Sequence, residues 1–117
     1  MSSEWIPEDL RPRARSLSDD VGVDEFAWDR STALELVTRL AGAGVSILGG
    51  DVYVEEAGRI RPTYANWACE RTPNEELSAF TERSTAEAKR YLESYMEAPG
   101  QQTFYVFVVS TEQTAGM

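Results

Sequence analysis

The chain contains no histidine and a single cysteine, Cys69. The first absence removes the commonest general base, the commonest metal ligand and the usual pH switch, and with them every Ser-His-Asp or Cys-His arrangement. The second excludes an internal disulfide and a multi-cysteine zinc site. A lone thiol is most at home in a reducing compartment, so a cytoplasmic protein is expected. Basic residues are scarce as well: Lys+Arg 11 against Asp+Glu 20 gives a formal net charge of −9, and Lys89 is the only lysine. A surface of that sign repels nucleic-acid phosphates and favours a basic protein partner. No stretch approaches the roughly 18 apolar residues of a membrane span. The first twenty residues hold Glu4, Glu8, Asp9 and three arginines and lack the apolar run of a secretory signal.

What is present suffices for one folded domain of 117 residues, 42% of them hydrophobic, with three Trp, five Tyr and four Phe. Neither disulfide nor metal is needed to hold such a core. Residues 1–23 read as an N-terminal arm, because Pro7 and Pro12 interrupt any helix and Trp5-Ile6 is the only bulky apolar pair available to dock it. Residues 24–117 read as a single domain. A first helix is expected to start between Asp24 and Asp29 and run to about Ala43, with Ala33, Leu36, Val37, Leu40 and Ala41 on one face. Val45 to Leu48 reads as a strand. Gly49-Gly50 then makes either a hairpin turn or, as we prefer, a bulge in one bent strand that continues through Glu55. Glu56 to Arg59 reads as a turn and Ile60 to Glu70 as the returning strand, with Pro62 placing it at an edge or giving it a local irregularity.

Thr72-Pro73-Asn74-Glu75 has the pattern of a helix start, with Thr72 as cap, Pro73 in the first position and Glu75 reaching back to the cap amide. Ser84-Thr85-Ala86-Glu87 repeats the pattern, so the segment to about Glu97 is either two helices in tandem or one that bends near Ser84. Ala88, Tyr91, Leu92, Tyr95 and Met96 form a helical stripe expected to face the core. Phe104 to Val109 is a continuous apolar run that reads as a central strand covered on both faces. The order of elements makes an α+β domain, a small and mainly antiparallel sheet with helices packed on it.

Carboxylate pairs occur at Asp19-Asp20, Asp24-Glu25, Glu55-Glu56 and Glu75-Glu76. None carries a metal-binding motif, and the last pair sits where a helix dipole favours negative charge, so no metal and no cofactor is expected. Cys69 has no histidine to activate it and reads as a small buried hydrophobe. Gly49-Gly50-Asp51 lacks the Gly-Lys-Ser/Thr of a phosphate loop. The acidic and aromatic mixture along the hairpin, namely Asp51, Tyr53, Glu55, Glu56, Tyr64, Asn66, Trp67 and Glu70, is more suggestive. Strand alternation places about half of these side chains on the face away from the helices, where they make either a recognition surface or a solubilised edge with Trp67 in the core.

Ile47-Leu48-Gly49-Gly50-Asp51-Val52-Tyr53, then Pro62-Thr63-Tyr64-Ala65-Asn66-Trp67, then a helix with Ser84 and Tyr91, resembles the immunity protein 40 family of bacterial polymorphic toxin systems over about residues 28 to 110, with the N-terminal arm outside the likeness. Ala68 and Cys69 follow Trp67 where another aromatic was expected. The resemblance implies a small α+β cytosolic antitoxin that neutralises a cognate toxin by direct binding and is not an enzyme. The toxin-binding residues expected on this basis are Asp51, Tyr53, Glu55, Glu56, Tyr64 and Glu70, with Trp67 either anchor or core. A basic toxin would suit the charge; nucleic acid and membrane would not. Two other classes stay open from the residues alone: an acidic adaptor or nucleic-acid mimic that binds many basic proteins, and a small carboxylate-based enzyme.

Overall fold

Asp29 opens the first helix by accepting a 2.8 Å hydrogen bond from the backbone N–H of Thr32. In the computed structural model, which describes residues 5–18, 21–22 and 25–113 with side chains through Ser110, helix α1 spans Arg30–Gly42. The Asp19-Asp20 pair and Asp24 lie outside the described residues. Two short strands precede the helix, β1 (Arg15–Ser16) and β2 (Phe26–Ala27), paired antiparallel. Strand β3 (Val45–Glu56) follows and pairs antiparallel with β4 (Arg59–Ala68). Their connection is the two-residue turn Ala57-Gly58, with φ of 54° and 80°. Two positive φ values in succession match the right-handed twist of the flanking strands, and a glycine carries one of them without strain. After α2 (Leu77–Ser94), strand β5 (Gln102–Gln113) returns antiparallel to β3, giving the order β4-β3-β5.

Both helices pack on one face of this sheet. Leu36, Val37 and Leu40 of α1, Ala88 and Leu92 of α2, and Ile47, Val52, Tyr105 and Phe107 of the sheet are buried together. Ile6 and Leu10 of the N-terminal arm join the same core, with Trp5 half-buried against it. Fully burying side chains of this size contributes about 1.5–3 kcal/mol each, so the arm is held by apolar contact rather than by its charges. A second, smaller core lies on the other face, where Leu17 and Ala27 cover Tyr53, Ile60, Phe104 and Val106, with Val21 packed alongside.

The apolar run Phe104 to Val109 is covered on both faces as far as Phe107, but it is not the central strand. β3 is central, and on the outer side of β5 Trp28 makes a single bridge, its N–H and C=O exchanging bonds of 2.9 and 2.8 Å with Tyr105. Gly49 and Gly50 lie within β3, and the register against β5 slips between Ile47 and Gly49, so the bulge forms rather than a turn. Both glycines are required by space, and Gly49 by its backbone as well. Gly49 has φ of 153° and a Cβ there would lie 2.3 Å from the Trp67 carbonyl oxygen, while at Gly50 a Cβ would lie 2.3 Å from Trp67 Cη2 and from the Val106 carbonyl oxygen.

Two expectations about α2 need correction, and a choice left open at Ser84 is decided. Thr72 is not its cap: Thr72–Glu75 closes a turn instead, and the helix begins at Leu77. Glu75 does reach back to the Thr72 N–H (3.1 Å), but Arg83 then holds its carboxylate with a fork of 2.7 and 2.8 Å, which fixes the turn against the helix rather than continuing it. Of the two alternatives at Ser84, tandem helices do not form, because α2 is one helix from Leu77 to Ser94. Ser84 is buried inside α2, where its Oγ donates to Thr81 O and accepts the Ile47 N–H at 3.0 Å, beside the register slips of β3. Met96 is 89% exposed, because the helix ends at Ser94 and Tyr95 turns into extended backbone before Met96 can join the stripe.

Candidate functional site

The covering of the second face stops partway. Beneath Leu17 and Ala27 the facing residues Tyr53 and Phe104 are buried, but the next rows of the sheet, Asp51 beside Asn66 and Gly49 between Val108 and Ala68, carry exposed Asp51, Asn66, Ala68 and Val108. Alternation puts these side chains on the same face as the second core.

Beside this open half, β4 bulges. Asp51 pairs with Asn66 and Tyr53 with Pro62, so Thr63, Tyr64 and Ala65 together oppose Val52. The extra residues are pinned locally: Thr63 Oγ1 donates to Val52 O (2.9 Å) and accepts the Ala65 N–H (3.1 Å), while Asn66 Nδ2 donates to Tyr64 O (3.2 Å). Tyr64 is left at φ 70° with 84% of its surface exposed. A non-glycine residue in the left-handed region costs on the order of 1–2 kcal/mol, and the bulge holds a large aromatic ring there in solvent.

Electrostatics group four residues at this place. Burial and the charge of Asp51 push the Glu25 carboxyl above its ordinary range. Burial raises the Tyr53 hydroxyl, helped by Glu25, Asp51 and Tyr64. Among the described residues neither Asp51 nor Glu25 forms an ion pair. Two carboxylates without an ion-pair partner among the described residues thus lie near Tyr53 and exposed Tyr64.

The remaining expected residues lie elsewhere. Glu55 shares the second face but is held by Arg15 at 2.9 Å, with that guanidinium also 5.9 Å from the centroid of the Phe104 ring. Glu56 alternates to the opposite face, where Arg61 lies 3.2 Å away and, with Gln101, keeps its carboxyl below the usual range. Trp67 is on the helix side, stacked on Tyr91 with centroids 4.6 Å apart and edge-on to Phe107 at 6.0 Å. Glu70 sits past the end of β4, its carbonyl accepting from Arg83 at 2.7 Å. Thus Asp51, Tyr53 and Tyr64 are brought together, while Glu56, Trp67 and Glu70 are not.

Glu25 was not among the expected residues, and no local signal marks it: β2 brings it to the sheet from 26 positions before Asp51. Asn66 is placed by the length of the bulge. Cys69 is buried, and burial pushes its thiol up although Arg83 lies 3.4 Å away, which describes an inert core thiol rather than a nucleophile. Among the described residues no group of three or more Cys, Asp or Glu side chains is arranged to hold a metal ion, and no helix is long and apolar enough to cross a membrane.

No curated protein and no solved structure matches the chain. A protein-family model does, the one described as Immunity protein 40, over residues 16–109. The match begins earlier than the likeness seen in the motifs and takes in Ser16 of β1, all of β2 and Glu25, so the end of the N-terminal arm belongs to the shared pattern. Covering most of the chain and every residue of the open face, it shows that the chain belongs to the Immunity protein 40 family.

Proposed function

We propose that this protein is an antitoxin that binds a cognate bacterial toxin through the uncovered half of its second sheet face, with no catalytic step of its own. Family membership supports a toxin as the partner. The observation that carries the location is the pairing of Asp51 and Glu25, which have no countercharge among the described residues, with Tyr64 exposed on a pinned bulge. Carboxylates arranged this way steer a basic surface at long range, and an exposed tyrosine supplies the kind of anchor that dominates interface energetics. The partner on this reading is a basic toxin domain met in the cytoplasm. Glu55 and Glu56 contribute little, since each is already engaged by an arginine.

The test is co-expression with the basic protein encoded by the adjacent gene, scored by growth rescue and by a salt series on the purified complex. Wild-type protein is expected to restore growth and to form a stoichiometric complex. Asp51→Lys and Tyr64→Ala are expected to weaken it by about tenfold or more each, the scale of a hot-spot truncation. Salt-labile binding to many basic proteins would replace this reading with the adaptor one. Full rescue by both variants would move the site off this face.

A further inference from the structure

We infer that the outer edge of β4 at Asn66–Ala68 receives an extended, basic segment of the partner as a fourth strand. This inference rests on the toxin-binding reading. β4 has β3 on one side and no other strand on its outer side among the described residues. The N–H of Cys69 donates to Leu48 O at 2.8 Å. The two-residue repeat of an antiparallel ladder then turns the Trp67 N–H and C=O towards β3 and those of Asn66 and Ala68 outward.

The rest of the edge is blunted against such pairing. Arg59 and Arg61 carry charge along it, Pro62 lacks a donor, and the bulge at Thr63–Ala65 bends the line. From Asn66 to Ala68 none of these devices is present, so the open stretch is short and defined.

Side chains of an added strand alternate between the two faces. On the helix side they meet a cavity of about 200 Å³ lined by Trp67, Ala68, Glu87, Arg90, Tyr91 and Ser94. The Trp67 Nε1–H is buried with no acceptor among the described residues, so an incoming chain that offers an oxygen there relieves an unmet donor. On the other face the added side chains fall beside Asn66 and Asp51, where a lysine or arginine is favoured. Main-chain bonds supply affinity in this mode, and the alternate side chains supply selection. A second copy of the chain fits poorly, because two molecules each at −9 would bring like fields together.

The experiment is amide hydrogen exchange on the full chain, free and in complex with the basic protein encoded by the adjacent gene, combined with Ala68→Pro. The Asn66 and Ala68 amides are expected to exchange fast in the free protein and slowly in the complex, with Trp67 slow in both. Ala68→Pro deletes one outward donor and no ladder bond to β3. It is expected to weaken binding by about tenfold, the scale of one net hydrogen bond. The exchange data on wild type decide the matter if the proline variant misfolds. A complex that forms with Asn66 and Ala68 still exchanging fast overturns the strand addition and leaves the toxin-binding reading standing. Failure of any complex to form removes both, and protection of these amides in a homodimer of the free protein makes the occupant a second copy and overturns the proposal.

Discussion

Replacing Gly50 with alanine tests the packing that separates the two faces of the sheet. The indole of Trp67 lies over Gly50, so the new Cβ would sit 2.3 Å from Cη2 and 2.6 Å from Cζ3, and 2.3 Å from the Val106 carbonyl oxygen. The ring has to lift off the strand, and the carbonyl can yield only by moving backbone. Overpacking of a well-filled site costs about 1–3 kcal/mol. Lifting the ring also weakens its stack on Tyr91, an interaction worth about 0.5–1.5 kcal/mol. The expected destabilisation is therefore about 1.5–4.5 kcal/mol, or roughly 6–18 °C in Tm for a chain of this length. Urea unfolding followed by tryptophan fluorescence measures it, and near-UV circular dichroism should show the lost Trp67 environment. In a Trp67→Leu background the ring part of the clash disappears, so the cost of Gly50→Ala should shrink to that of the carbonyl contact. If Gly50→Ala unfolds within about 0.5 kcal/mol of wild type, the range of an innocuous surface change, the reasoning is wrong.

Three further expectations are independent of that one. Ser84→Ala leaves the buried Ile47 N–H without its acceptor and should cost about 1–3 kcal/mol in urea unfolding; a change near zero would mean that β3 relaxes to pair it. Glu25→Gln should raise stability at pH 7 by a few tenths to about 1 kcal/mol, because a folded-state pKa above the unfolded one penalises the ionised form. That gain should vanish at about pH 3, where the wild-type carboxyl is protonated in both states, and a gain independent of pH would refute the electrostatic cause. Glu75 behaves oppositely: Arg83 and then the Thr72 amide depress its pKa from 4.5 to about 2, so its contribution is full above the upper value and is lost as pH falls through the lower. Urea midpoints of wild type should drop across that window relative to Glu75→Gln, and parallel curves would show the Arg83 fork to be idle.

The three long strands and the first helix were legible because local chemistry specified them: Asp29 caps, Ala57-Gly58 turns, Pro62 marks an edge; β1 and β2, two residues each, were not, since they lie in the expected arm and helix start. The start of α2 was misread because Thr72 and Glu75 do satisfy part of the capping pattern, and only the distant Arg83 diverts it. The run from Phe104 to Phe107 looked central because two cores bury it, which composition cannot distinguish from burial by neighbouring strands. Within the site, Asp51 and Tyr53 followed from alternation. A ladder counted from the turn pairs Asp51 with Tyr64, and the two extra residues of the bulge move the partner to Asn66 and thrust Tyr64 outward. Glu25 joins through tertiary pairing alone, and the arginine partners of Glu55 and Glu56 likewise show only in three dimensions.

The central position of β3 sets the order in which a nascent chain becomes able to act. Its first partner, β4, is one tight turn away, but its second, β5, is made only after the whole of α2. Until Gln102 and the residues after it emerge, Asp51 stands on a two-stranded hairpin, which is marginal in water, and the second core lacks Phe104 and Val106. Pairing across that separation is a slow, late event in folding. On the proposed reading, the binding face is therefore complete only once β5 has docked, and that step rather than the speed of the hairpin sets when it can act.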